Sequence, residues 1–205
     1  MIELYTWGTP NGRKISIMLE EIGMPYNVHP VNLRNNEQKT PEFLAINPNG
    51  RIPAIIDTEG PGGRPLTIFE SGAILIYLAE KSGQLLPREP VRRMEAIEWL
   101  MFQMAGVGPM FGQLGWFKRN APENQQGLTR YTDETLRLAG VLDQRLGKAE
   151  YLAGEYSIAD IANFTWVAAL PFFDISLVTM PHLQRWQQAL AARPAVQRGL
   201  TVPAV

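Results

Sequence analysis

Cysteine is absent from this chain of 205 residues. A protein without it can hold no disulfide and no thiolate-bound metal, and offers no thiol nucleophile of its own. Any sulfur chemistry must therefore use a thiol brought in by a ligand. Histidine is almost as scarce. His29 and His182 stand apart, without metal-ligand spacing, which points to structural or solvent-facing roles and to no metal site. Charge of one sign is missing too: 19 Lys and Arg are mixed with 20 Asp and Glu, for a formal net charge of −1. No basic stripe is available to neutralise phosphates, so nucleic acid is not an expected partner. No apolar run approaches the ~20 residues of a membrane span, so a membrane is not expected either. Met1-Ile2-Glu3-Leu4-Tyr5 reads as a strand and lacks the charged and apolar regions of a signal peptide, which gives a cytoplasmic protein as the expectation. What is present is ordinary globular composition, 45% hydrophobic and 19% charged, sufficient for one large or two small domains.

The pattern divides the chain into three stretches: residues 1–83, a proline-containing linker over 84–90, and a helical part over 91–205. In the first, Ile2–Tyr5 reads as a strand and Arg13–Ile22 as a helix with Ile15, Leu19 and Ile22 on one face and Gly23 as its stop. Tyr26–Leu33 reads as a second strand. Thr40–Ala45 is a short helix, with Thr40 as N-cap and Pro41 at its first position, where a missing N–H costs little. Ile52–Ile56 and Leu66–Phe69 are strands joined through Gly60-Pro61-Gly62-Gly63. Ser71–Ser82 is a helix stopped by Gly83. The order is βαβ and then αββα, with the first two strands parallel because a helix crosses between them. Beyond the linker, residues 91–120 form one long helix interrupted near Gly106, Gly108 and Pro109, since an interior proline costs ~3 kcal/mol. Residues 123–146 form the next helix. Ser157-Ile158-Ala159-Asp160 is a capping box that opens a buried helix running to Pro171. A last helix runs from Pro181 to Ala192 and ends at Arg193-Pro194.

Three short segments carry chemistry. Pro53 opens the apolar run Ala54-Ile55-Ile56. Proline cannot donate to a sheet ladder, so it belongs at the start of that strand. If the Ile52–Pro53 bond is cis, the main chain of Ile52 faces a ligand, in the manner that suits an extended peptide; a trans proline there is plain punctuation. Thr9-Pro10-Asn11-Gly12 sits where the first strand meets the first helix. Thr9 and Asn11 can cap that helix or donate hydrogen bonds to an anion at its positive end. Glu70-Ser71 sits at another strand–helix junction, where the Ser71 hydroxyl and neighbouring N–H groups can cap the helix or bind a carboxylate, and Glu70 can pair with an ammonium.

Taken together, these segments resemble the glutathione S-transferase superfamily. Thr9-Pro10-Asn11-Gly12 stands where related thioredoxin-like proteins carry Cys-Pro-x-Cys. Asn47-Pro48-Asn49-Gly50-Arg51-Ile52-Pro53-Ala54-Ile55 is similar to the family's cis-proline segment. Phe69-Glu70-Ser71-Gly72 is similar to its Glu-Ser motif, and Gly154–Ile161 to the capping box of its buried helix. The nearest branch is the bacterial nu class or the fungal Ure2-like group, known for Thr-Pro-Asn-Gly and for disulfide reduction with glutathione. The resemblance implies an α/β thioredoxin-like N-terminal domain with cis-Pro53, over 1–83, and an all-α C-terminal domain over 91–205 carrying a second-substrate pocket and dimer contacts.

For the site, the resemblance implies a glutathione thiolate held by Thr9 and Asn11. It implies glutathione binding by Gln38, Arg51 (with Lys39 the weaker choice), Ile52, Pro53, Glu70, Ser71 and Arg130, the last reaching across a dimer interface or standing as a surface arginine. Trp7, Trp116 and Phe117 line the second-substrate pocket, though Trp7 is equally suited to packing. Tyr5 is read as a packing strand aromatic rather than the thiolate donor. Glutathione is the implied co-substrate, no metal is implied, and small disulfides, peroxides or electrophiles are the implied substrates of a homodimer. Lowering a thiol from ~8.5 by about two units takes roughly 2.7 kcal/mol. A helix N-terminus (up to ~2 kcal/mol) and one charged hydrogen bond (roughly 1.5–3 kcal/mol) are enough for that. The alternatives are a conventional conjugating transferase or a non-catalytic module of the same fold.

Overall fold

The computed structural model describes residues 1–204. They form two compact units. The first comprises Met1–Gln84 and the described residues from Arg193 on, and the second is Leu85–Ala192.

The first unit is built on a four-stranded mixed sheet in the order β2-β1-β3-β4. Strand β1 (Ile2–Thr6) runs parallel to β2 (Tyr26–Pro30), as the crossing helix requires, and antiparallel to β3 (Ala54–Asp57), which in turn pairs antiparallel with β4 (Leu66–Phe69). Side chains alternate across β1. Ile2 and Leu4 are fully buried under α1 (Pro10–Ile22) and α3 (Ser71–Ser82). Tyr5 points the other way, and its ring meets Phe43 of α2 (Pro41–Ile46) edge-on at 6.4 Å. That second face carries a small core of Val31, Phe43, Ile52 and Ala54, with Tyr5 and Trp7 packed on it. At the far end of β3, the buried Asp57 carboxylate accepts from Tyr77 Oη and Lys81 Nζ, both at 2.5 Å, which fastens α3 to the sheet.

Local chemistry explains where the elements begin and end. Helix α1 starts at Pro10, earlier than the periodicity indicates, because Thr9 Oγ1 accepts from Gly12 N at 3.2 Å and proline tolerates the first position. It ends at Gly23, and α3 at Gly83, as expected. Strand β2 ends at Pro30, short of the expected Leu33, because Asn32 Oδ1 caps a 3-10 turn at Arg34 N. Strand β3 begins only after Pro53, and the Ile52–Pro53 bond is cis.

In the second unit, Glu89 caps α4 (Pro90–Phe102) through Val91 N and Arg92 N. The long helix expected over 91–120 is broken by a π-helical turn at Gln103–Val107 before α5 (Gly108–Asn120), since Pro109 has no N–H for the continuing ladder. Helix α6 (Gln125–Leu146) follows. All ten residues of α7 (Ile158–Val167) are buried. Helix α7 stops four residues before Pro171, which falls in a 3-10 turn over Leu170–Phe173. Helix α8 (Pro181–Ala191) closes the unit.

The expected second domain over 91–205 is amended at both ends. Its first residues begin earlier, since the Leu85 carbonyl accepts from Ile158 N at 2.9 Å. Beyond Arg193-Pro194 the chain does not end its helical course: α9 (Pro194–Leu200) packs along α1 in the first unit. Ser16 Oγ donates to the Gly199 carbonyl at 2.7 Å, and Arg193 and Arg198 pair with Glu21 and Glu20.

The capping box of α7 is formed as expected, and it does more than cap. The buried Asp160 carboxylate accepts from Leu152 N (3.0 Å), Ser157 N (3.0 Å), Ser157 Oγ (3.2 Å) and Trp186 Nε1 (2.9 Å). Asp160→Ala leaves these buried donors without that acceptor at ~1–3 kcal/mol each, so a loss of roughly 3 kcal/mol or more is expected in urea unfolding. A loss below ~1 kcal/mol, the value of an ordinary cap, would show that the box is only local.

Candidate functional site

The sheet register gathers the candidate residues of the first unit. Ala54 pairs with Tyr5 and with Phe69, so the end of β1, the start of β3 and the end of β4 lie at one edge. From that edge emerge the Thr9–Gly12 turn, the Ile52–Pro53 bond and the Glu70–Ser71 junction.

The Thr9–Gly12 turn is compact. Thr9 N donates to Trp7 O at 2.7 Å, and a Cβ at position 12 would lie 2.2 Å from that same carbonyl oxygen. No side chain fits there, cysteine included. The Thr9 hydroxyl accepts the capping bond from Gly12 and keeps one O–H to donate. Asn11 lies half-buried in the first turn of α1.

The loop before Pro53 is held by its own amides. Asn47 Nδ2 donates to the Arg51 carbonyl at 2.6 Å, and Asn47 Oδ1 accepts from Asn49 N at 3.0 Å. Gly50 has φ 60, and a Cβ there would meet Lys39 Nζ at 2.8 Å and the Gln38 carbonyl at 2.9 Å. Gln38 and Lys39 therefore lie directly against the Gly50–Arg51 turn, and the buried Gln38 Oε1 has no hydrogen-bond partner. Arg51 is exposed beside them.

Glu70 adopts φ 69, ψ 118, a conformation few residues other than glycine occupy. It supplies no side-chain cap to α3. Its carboxylate instead accepts from Asn49 Nδ2 at 3.4 Å. Ser71, nearly buried, opens the helix and accepts from Lys14 Nζ at 3.2 Å. The structure thus brings Gln38, Arg51, Ile52, Pro53, Glu70 and Ser71 to one edge with Thr9 and Asn11. Two helix N-termini, each a natural anion site, open there.

Tyr5 stacks on His29 with ring centroids 4.6 Å apart, and His29 Nε2 meets Glu3 at 2.6 Å. Tyr5 thus packs as a strand aromatic, and His29, read as structural or solvent-facing, is held by Tyr5 and Glu3. Trp7 also packs on the small core. The remaining candidates belong to the second unit. Trp116, 49% exposed, and Phe117 meet edge-on at 5.1 Å, and Phe117 lies against Tyr131 at 5.3 Å. Arg130 stands exposed next to Tyr131 on α6.

Sequence reasoning missed Lys14, Asn47 and Asn49. The asparagines stood only as part of the cis-proline segment, without a role of their own. Lys14 opens a run to Leu19 in which every residue is buried, more than one face of a helix, and Ile15, Ile17, Met18 and Leu19 within it are the sequence's hint that a second element covers α1.

Comparison with known proteins fits this geometry. Residues 1–80 match the family model for the glutathione S-transferase N-terminal domain, and residues 105–194 that for its C-terminal domain. The chain is 45% identical over 203 residues to the disulfide-bond oxidoreductase YfcG of Escherichia coli, covering 98% of this chain and 94% of that protein. It superposes with a TM-score of 0.96 on a glutathione transferase from Burkholderia graminis that holds two glutathione molecules per subunit, at 54% identity and covering 98% and 88% of the two chains. A Pseudomonas putida glutathione transferase with one glutathione disulfide bound per subunit gives the same TM-score at 49% identity, covering 98% and 91%. The chain belongs to the glutathione S-transferase family.

Proposed function

We propose that this protein is a glutathione-dependent disulfide-bond oxidoreductase. One observation carries the reading: a cysteine-free turn at the N-terminus of α1 shares a sheet edge with Ile52, cis-Pro53 and the Glu70–Ser71 junction. The residues fit the group. Glutathione carries a thiol, two carboxylates and an ammonium. Thr9, Asn11 and the α1 terminus suit the sulfur. Ser71 and the α3 terminus suit the γ-glutamyl carboxylate, Glu70 the ammonium, and Gln38, Lys39 and Arg51 the glycyl carboxylate. Ile52 offers main-chain groups to the peptide. The name of the E. coli relative and the glutathione disulfide in the P. putida neighbour support the same substrate class.

When bound, glutathione would supply the thiolate that attacks one sulfur of a disulfide, forming a mixed disulfide and releasing the other sulfur as a thiolate that takes a proton from solvent; a second glutathione then exchanges with the mixed disulfide to give glutathione disulfide and the second thiol. The chain's part is to hold the attacking sulfur ionised. Hydroperoxides and electrophiles are secondary substrates of the same thiolate. In the second unit, Trp116 and Phe117 are the proposed surface for the second substrate, and Arg130 a cation for glutathione of the partner subunit. Helix α4 exposes Val91 (75%), Met94 (55%) and Met101 (44%), an apolar stripe suited to a homodimer interface.

Turnover of a model disulfide by glutathione, followed through glutathione reductase, is expected well above the uncatalysed rate. Glutathione binding without any such turnover would leave a binding module instead. Sedimentation at micromolar concentration is expected to give twice the 23.0 kDa chain mass; a species of single-chain mass would remove the dimer.

Asn11→Ala and Thr9→Ala each delete one hydrogen bond to a charged sulfur, worth roughly 1.5–3 kcal/mol. The bound thiol should then titrate about one to two units higher, and turnover near neutral pH should fall about tenfold or more. Tyr5→Phe keeps the ring stacked on His29 and should be silent. Ultraviolet absorbance of the bound thiolate against pH separates the three. A shift in Tyr5→Phe alone would move the donor role to Tyr5.

A further inference from the structure

Lys14 is 1% exposed, the most deeply buried cationic side chain among the described residues. It lies on α1 one turn past Asn11, and its Nζ donates to Ser71 Oγ at 3.2 Å. A donor behind that oxygen turns the hydroxyl proton away from Lys14. Above it, α3 opens without a side-chain cap, behind a residue held at φ 69. An ammonium this deeply buried is costly to charge, and an anion placed at the start of α3 would lower that cost.

We propose that Lys14 is a positioning residue of the carboxylate site at the start of α3, aligning the Ser71 hydroxyl and taking up a proton from solvent when an α-carboxylate binds there. The ligand class is a γ-glutamyl compound, so the inference rests on the glutathione reading above. Burial pulls the Lys14 ammonium down to about 7, and the facing Glu70 carboxylate opposes that pull. Most of the other charges on the packed elements are paired with one another. On α9 and its lead-in, Arg198 and Arg193 are paired with Glu20 and Glu21; on β1, Glu3 is paired with His29; on α3, Lys81 and Tyr77 hold Asp57, and Glu80 lies two turns beyond Ser71. Arg13, beside Lys14 on α1, is half-buried. A bound carboxylate adds negative charge above Lys14 and raises its affinity for a proton. The sign follows. Binding is strongest below about pH 7, where Lys14 already carries the proton, and weakens as pH rises through that value.

The test is calorimetric titration with S-methylglutathione, which has no thiol to ionise, in two buffers of different ionisation heat. The wild type is expected to take up a fraction of a proton per ligand near neutral pH, with affinity falling several-fold between about pH 6 and pH 8.5. Lys14→Met keeps the bulk of the buried stem. It is expected to abolish the uptake near neutral pH and to weaken binding about tenfold at the lower pH. Any titration of the ligand's own amine persists in the variant and is thereby separated. Binding by the wild type without proton uptake overturns the role of Lys14, and this result needs no variant. Equal affinity and an equal pH profile in Lys14→Met overturn it as well. If the wild type binds neither S-methylglutathione nor glutathione, the glutathione reading itself falls, and the role of Lys14 with it.

Discussion

Ala54 pairs with Tyr5 on one side and Phe69 on the other, and the first unit is organised by that double register. A shift of one residue in either ladder would turn Leu4 and Ile55 out of the core and Tyr5 into it. The core face is filled by fully buried Ile2, Leu4, Ile55, Ile15, Leu19 and Ile74, so the register is fixed by packing. The functional consequence is geometric. Three chain segments distant in sequence leave the sheet at the same edge, and each ends its strand just where its special residue lies: Thr9 past β1, Pro53 before β3, Glu70 past β4.

The edge is rigid without a single covalent cross-link. Asn47 closes its own loop, Gly50 lets Gln38 and Lys39 approach, and Asn49 reaches Glu70. Glu70 keeps an unfavourable backbone conformation because the strand before it and the helix after it are both anchored, α3 through Asp57 at its other end. Strain of this kind persists where the surroundings over-determine a residue, which is the condition a preorganised binding site requires.

Much of this was legible in the sequence, for local reasons. Caps, prolines and glycine stops act over a few residues, so α1, α2, α3 and the α7 capping box could be read from Thr9, Thr40, Gly83 and Ser157-Asp160. The Pro53 position declared itself because proline at a strand start has few uses. What escaped depended on distant partners. Helix α9 contains seven residues with weak periodicity, and only the burial of Ser16 and Ile17 against it gives it a reason to form. Lys14 escaped notice because nothing near it in sequence predicts Ser71 overhead. The π turn before Gly108 falls just ahead of Pro109, and spacing alone marked only an interruption.

The return of α9 to the first unit affects the order in which the chain can complete itself. The second unit is one unbroken stretch from Leu85 to Ala192, while the first needs residues from both ends. During synthesis the sheet can assemble early, but the outer side of α1 stays bare until Arg193, Arg198 and Gly199 have been made. Helix α9 thus seals a unit whose sheet precedes it by more than a hundred residues. A fragment cut after Gln84 would expose the side of α1 where Ser16, Ile17, Glu20 and Glu21 meet Arg193, Arg198 and Gly199. The Thr9–Gly12 turn sits at the start of that same helix, so its support is finished only once α9 is in place.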